Sequence, residues 1–258
     1  MRVLAPAAMP TFIRAIAVSV TGLLLASCAT DRVRPAVDSV QPFSSNRLGL
    51  ELPNGWAPWI ITRAKSPTRY DLVVDSDTQR VVLHAVADRS ATGLKQRLDV
   101  DPADSPIVQW EWRIVTLVPT ADLTDRDGDD SPARLLLFFD GDRTQLSARD
   151  KMLMETARML TGQPIPFATL MYVWDNRQPV GTVIPSAVFG QLKMVVAGTG
   201  PDRLGQWKQF ARNYARDYER AFGHAPGKLV GIGVLTDTDN TDSAVEAFYG
   251  DIRLRAAP

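Results

Sequence analysis

Cysteine is nearly absent from this chain: Cys28 stands alone in 258 residues. No disulfide can form within the chain, and neither a multi-thiolate metal site nor a catalytic thiol in the body of the protein can be built. Histidine is almost as scarce. His84 and His224 share no ligand spacing, and the G-x-S-x-G and H-E-x-x-H patterns are missing, which removes the usual bases of nucleophilic and zinc-dependent hydrolysis. Glutamate is also short, 5 residues against 24 aspartates, a bias that suits turns and oxygen-rich loops more than buried general acids. Nor is there an excess of either charge: 29 basic groups meet 29 acidic ones, so nothing favours a nucleic-acid partner.

What is present begins at the N-terminus. Arg2 and Arg14 precede the apolar run "AIAVSVTGLLLAS", which ends at Cys28. This is the pattern of a bacterial export signal, and the run is shorter than the roughly 20 residues a spanning helix needs. Leu25, Ala26, Ser27 and Cys28 match a lipobox, in which the cysteine thiol is acylated and becomes the mature N-terminus. Ala29 follows it where an inner-membrane retention signal would place Asp, so the expected address is the outer membrane, lipid-anchored and facing the periplasm.

Residues 1–27 are therefore read as a signal peptide, 28–45 as a flexible tether rich in Ser, Asp and Pro, and 46–256 as one domain. Within that domain short segments recur between turn signals: "YDLVVD", "RVVLHAVA", "LKQRLDV", "IVQWEWRIV", "ARLLLFFD", "ATLMYVWD", "LKMVVAG", "LVGIGVLT" and "EAFYGDIRL". Many short strands without alternating helices predict an all-β sandwich. Two segments predict amphipathic helices packed on its periphery. "SARDKMLMETARMLTG" has capping-box spacing at Ser147 and Asp150, with Met152, Leu153, Met159 and Leu160 at helical intervals; "GQWKQFARNYARDYERAFG" puts Trp207, Phe210, Tyr214, Tyr218 and Phe222 along one stripe.

Candidate chemistry gathers in four places. In "IVQWEWRIV", Val108, Trp110, Trp112 and Ile114 alternate toward a core, which sends Glu111 and Arg113 to a solvated face or a polar groove. In "DLTDRDGDDSPAR", alternating Asp125, Asp127 and Asp129 have the oxygen chemistry of a structural calcium turn. The EF-hand pattern fails there, because Gly128 and Leu136 are wrongly placed, and a solvated loop held by Asx-turns is favoured. Trp174 and Asn176 end a strand as a ligand platform or as packing over a turn. The stretch "TDTDNT" carries Asp237, Asp239 and Asn240, whose first expected role is to shape their own turn.

Several ordered stretches, among them "DPADSPIVQWEWRI", "GDDSPARLLLFFDG", "LMYVWDN", "MVVAGTG" and "GVLTDTDNTDSAVEAFYGDIRL", resemble the DUF3047 family of exported bacterial proteins. The resemblance implies a β-sandwich of jelly-roll type, similar to galactose-binding and carbohydrate-binding modules, and carries no activity with it. Its polar signature maps onto Asp129, Asp130, Arg134, Trp174, Asp175, Asn176, Asp237, Asp239, Asn240, Tyr249 and Asp251. The helical stretch at residues 143–167 looks longer than the corresponding connection in the family.

The leading expectation is a non-enzymatic envelope lipoprotein that binds saccharide through Arg113, Arg134, Trp174, Asn176, Asp237, Asp239 and Asn240, with the membrane as partner through lipidated Cys28. A carbohydrate-active hydrolase using two of Glu111, Asp130, Asp237 and Asp239 is the alternative. An assembly factor with protein partners is the third class.

Overall fold

Apolar alternation becomes strand wherever turn residues bound it. The computed structural model describes residues 38–61 and 65–257, and each segment expected to be a strand forms one, except that "EAFYGDIRL" is divided into two by residues 250–252. In chain order the strands are β1 (Ala57–Ile60), β2 (Arg69–Val74), β3 (Val81–Asp88), β4 (Ala91–Val100), β5 (Ile107–Ile114), β6 (Ser131–Phe139), β7 (Ala168–Asp175), β8 (Val183–Pro185), β9 (Leu192–Thr199), β10 (Trp207–Asn213), β11 (Leu229–Asp237), β12 (Ala244–Tyr249) and β13 (Arg253–Arg255). They form two sheets. One has seven strands in the order β1-β4-β11-β6-β7-β9-β8; the other runs β10-β5-β12-β3-β2, with β13 also pairing β5. Among the paired strands only β7 and β9 are parallel.

The main core lies between the sheets. Val108, Trp110, Trp112 and Ile114 of β5 face inward as their alternation predicts, against Leu135, Leu137 and Phe139 of β6 and Leu170, Tyr172 and Trp174 of β7. Trp110 joins the layers directly, stacking on Tyr172 at 4.8 Å and on Phe210 of β10 at 4.9 Å. A second apolar layer covers the other face of the seven-stranded sheet: Leu136 and Phe138, Met171 and Val173, Met194 and Val196, closed by Leu123 from the β5–β6 connection. Burial on both faces explains why "ARLLLFFD" and "ATLMYVWD" read as continuous apolar runs without polar alternation. Each such side chain contributes about 1.5–3 kcal/mol when fully buried.

Three expectations change here. The stretch from Gly205 to Gly223 is not one helix: its first half is strand β10, paired to β5 from Trp207↔Arg113 to Asn213↔Ile107, and only its second half is helix α2 (Tyr214–Phe222). The edge of β5 gives seven residues a hydrogen-bonded ladder that outweighs their helical spacing. Asn213 then ends the strand and caps the helix by accepting the Arg216 N–H.

Helix α1 (Ala148–Thr161) has the predicted ends, with Ser147 accepting the Asp150 N–H and Gly162 closing the C-terminus at φ 71°. It buries Met154 alone. Met152, Met159 and Leu160, expected against the sandwich, point outward instead. The tether is also shorter than expected, since Val40 and Phe43 are buried and Phe43 stacks on Trp56 at 4.9 Å. Residues 40–45 thus belong to the body. The export signal, Cys28 and residues 28–37 of the expected tether lie outside the described residues.

Candidate functional site

The aspartate loops and Arg134 do meet. Arg134 occupies the outward-facing position of β6 two residues before Leu136, where the outer apolar layer ends. The residue is 2% exposed. Nε donates to Asp237 Oδ1 at 3.0 Å, and Nη2 donates to the Asp129 carbonyl at 2.8 Å and the Asp129 carboxylate at 3.0 Å. Asp237 is the last residue of β11 and also accepts the Ser131 N–H at 3.2 Å. Asp130 accepts from the Asn240 N–H at 3.2 Å, the Thr241 N–H at 2.7 Å and Thr241 Oγ1 at 2.6 Å. The turn after β11 is therefore shaped by Asp130, about a hundred residues earlier in sequence, and not by its own aspartates as expected.

Electrostatics follow from this crowding. Burial pushes the Asp237 carboxyl up to about 7; Asp129 and Asp130 add to the rise, and Arg134 opposes it. Burial and the Asp130 charge raise Asp239 as well. Arg134 is held charged by Asp237 and Asp129 against the desolvation of its site. Carboxylate oxygens of Asp130, Asp237 and Asp239 lie within 4.8 Å of one another, a set of hard donors that could hold a cation. Arg134 already supplies positive charge there, and Asp130 already accepts three hydrogen bonds. Where the sequence placed calcium on Asp125, Asp127 and Asp129, the structure separates the three. Asp125 caps a short 3-10 turn, Asp127 is exposed, and Asp129 pairs with Arg134.

The other signature residues are also engaged internally. Trp174 is 2% exposed, donates Nε1–H to the Gly200 carbonyl at 3.1 Å and lies under Lys208, so it is no open platform. Gly198 makes room for it: a Cβ there would stand 2.5 Å from the Trp174 ring. Asn176 pins the β5–β6 connection by donating to the carbonyls of Val118 and Ala121. Asp175 accepts the Arg177 and Gln178 N–H groups. Tyr249 donates to the Leu235 carbonyl at 2.7 Å, and Asp251 holds Ser44 near the start of the body. Glu111 is buried beneath the salt bridge from Arg80.

A different row was missed. On the outer face of the second sheet, Trp207, Arg113, Phe248 and His84 stand in register on four adjacent strands, Trp207↔Arg113↔Phe248↔His84. The Arg113 guanidinium lies 5.4 Å from the Trp207 ring centroid and 4.2 Å from that of Phe248. His84 stacks on Phe248 at 4.4 Å, and its Nε2 is 2.8 Å from Glu246. All four are half-buried.

The tip of the β2–β3 hairpin anchors one end of the row, with Asp75 accepting Trp207 Nε1–H at 3.1 Å and pairing with Arg113 at 2.9 Å. Although burial works the other way, bonds from Thr78 and Trp207 and the Arg113 charge hold the Asp75 carboxyl below its ordinary range. Of the row, only Arg113 was legible as a candidate. Trp207 was hidden by the helical reading of its segment, whereas His84 and Phe248 could have been found as outward positions of their alternating strands. Two clefts of about 380 and 370 Å³ flank α2, and none of the residues expected to bind or catalyse lines either.

The profile of a family described as "Protein of unknown function (DUF3047)" matches residues 54–253. No curated protein sequence matches the chain. Among solved structures, the carbohydrate recognition domain of Emp47p is similar at 13% identity and a TM-score of 0.41, over 85% of this chain and 95% of that one. The K1 cleaved adhesin domain of Lys-gingipain from Porphyromonas gingivalis W83 is similar at 8% identity and a TM-score of 0.35, over 85% and 99%. SGBP-B from a xyloglucan utilization locus in Bacteroides uniformis gives 11% and 0.30, over 79% of this chain and 45% of that one. Likeness at these scores carries no argument about a ligand.

Proposed function

The chain belongs to the DUF3047 family, and on that footing we propose that it is a non-catalytic binding module of the bacterial cell envelope with a saccharide ligand. The observation that carries this reading is the row Trp207–Arg113–Phe248–His84. Saccharide recognition needs apolar ring area beside donors and acceptors of fixed direction. The row sets the half-buried rings of Trp207 and His84 on either side of the stacked Arg113 and Phe248, with Asp75 at one end and Glu246 at the other, so ring area and polar groups stand together on a rigid sheet face.

The acid cluster favours binding over hydrolysis. A glycosidase needs two carboxyl groups facing each other across room for a sugar, about 5–10 Å apart. Asp130 and Asp237 are buried and bonded to neighbouring backbone and Arg134, which leaves Asp239 as the only half-exposed member. The envelope address rests on Arg2, Arg14, the apolar run and Cys28, which would anchor the chain in the outer membrane facing the periplasm.

The test is a glycan array and a turnover screen on the chain from Ala29, with Trp207→Ala and His84→Ala alongside. Binding of one saccharide class is expected, weakened at least about tenfold in each variant, with no cleavage of the bound glycan. Equal binding by parent and variants removes the row as the site. Release of reducing ends would replace the binding module with an enzyme.

A further inference from the structure

Three of the most exposed large apolar side chains among the described residues share one helix: Met159 at 72%, Leu160 at 70% and Met152 at 63%. At 3.6 residues per turn, Met152, Thr156, Met159 and Leu160 form one stripe of α1, on the side away from buried Met154. A water-facing stripe of this kind is the reverse of what a surface helix normally offers, and its capping and its glycine stop show that the helix is a defined element.

The position of α1 narrows what can cover the stripe. Just past its C-terminus, Gln163 accepts from Lys95 Nζ at 2.7 Å. The next residue of β4, Gln96, donates to the Ser39 carbonyl at 3.1 Å and accepts the Gln41 N–H at 2.9 Å. Lys95 and Gln96 are neighbours on β4 but face opposite sides of the sheet, so the chain joins the body at the stretch of β4 that holds the end of α1 and on its other face. The loop just after that junction adds exposed Leu48 at 54% and Leu50 at 41%. Asp38 is only ten positions along the chain from Cys28, a reach of at most about 35 Å. A lipid on Cys28 would therefore keep this end of the body within one short tether of a bilayer.

We infer that α1 is a membrane-contacting helix that lays Met152, Met159 and Leu160 into the interfacial region of a lipid surface. The inference builds on the lipid-anchor part of the proposed function. An acyl anchor tethers the body without fixing how it lies on the bilayer, and apolar side chains seated in the interface add affinity in proportion to the area they bury. The unbranched Met side chains suit a disordered acyl boundary, because they adapt without a fitted pocket. The helix carries Arg149, Lys151 and Arg158 against Asp150 and Glu155, a balance that tolerates anionic headgroups.

The test uses the chain from Ala29, which lacks Cys28 but keeps the self-contained core that begins at Val40. It is floated with vesicles of phosphatidylethanolamine and phosphatidylglycerol. The parent should bind, and the triple variant Met152→Ser, Met159→Ser, Leu160→Ser should bind about a hundredfold more weakly. As a second readout, Met159→Trp should shift its fluorescence to the blue when vesicles are added. Equal flotation of parent and triple variant, or an unmoved Trp spectrum, overturns the inference. So does a parent that self-associates through this face, seen as a change in sedimentation between parent and triple variant without any vesicle effect. Fatty-acid labelling of the full chain and of Cys28→Ser tests the anchor separately. Absent labelling would sink the anchor while leaving the flotation result to stand or fall alone.

Discussion

The Arg134 cluster and the Trp207 row each hold an arginine paired to aspartate, yet they differ in what surrounds it and in how far a second layer covers it. In the cluster, Arg134, Asp129, Asp130 and Asp237 bond one another and nearby backbone, at the end of a sheet whose outer face is already covered by an apolar layer. In the row, Arg113, Phe248 and His84 stack on one another on a face that no second layer covers completely. The lesson concerns motif reading. A dense polar signature marks the place where three chain segments must be fastened together as readily as the place where a ligand docks, and only burial separates the two uses.

The sharpest way to break this comparison is Arg134→Met. Removing one partner leaves buried carboxylates uncompensated, so unfolding in denaturant should show a loss of about 3–5 kcal/mol; a loss under about 1 kcal/mol would mean that the cluster fastens nothing. Saccharide binding by the fraction still folded should be unchanged. Trp207→Ala should do the opposite, costing binding while lowering stability by less than about 2 kcal/mol.

An effect comparable to that of Arg134→Met is expected from pH. Asp237 has its folded pKa raised from 3.8 to about 7. The folded state therefore holds this proton more tightly than the unfolded chain does, and the resulting stability is complete below about pH 4 and lost as pH rises through about 7. Unfolding free energies measured across that window should fall for the parent and fall less steeply for Asp237→Asn. Parallel profiles would show that Asp237 does not titrate there.

The smallest expected effect is that of calcium. Arg134 already sits among the acids and Asp130 already accepts three hydrogen bonds, so the thermal midpoint should be the same in calcium and in chelator. A rise of several degrees with calcium would turn the fastening cluster into a cation site at Asp130, Asp237 and Asp239.

Much of the architecture was open to reading because its causes are local. Alternation in "IVQWEWRIV" sends Trp110 and Trp112 inward whatever the partner strand is, and Ser147 with Gly162 brackets a helix by chemistry contained within one turn of each end. The exceptions arose where a neighbour outweighed the local pattern. Trp207 through Asn213 carry helical spacing, but the open edge of β5 takes them as a strand. Met152, Met159 and Leu160 carry the spacing of a packed stripe, but Met154 is the residue that reaches the body.

The candidate sites divide in the same way. Residue type alone singled out Asp130, Arg134, Asp237 and Asp239, and tertiary structure brought them together across more than a hundred residues, burying their charges among their own partners. That Trp207, Arg113, Phe248 and His84 form one row could not be read from their segments, because their alignment depends on the registers of three strand pairings. Register is a property of pairs of segments. A single segment states which of its faces is apolar, and only the packed sheets decide which outward residues become neighbours and which remain open to a partner.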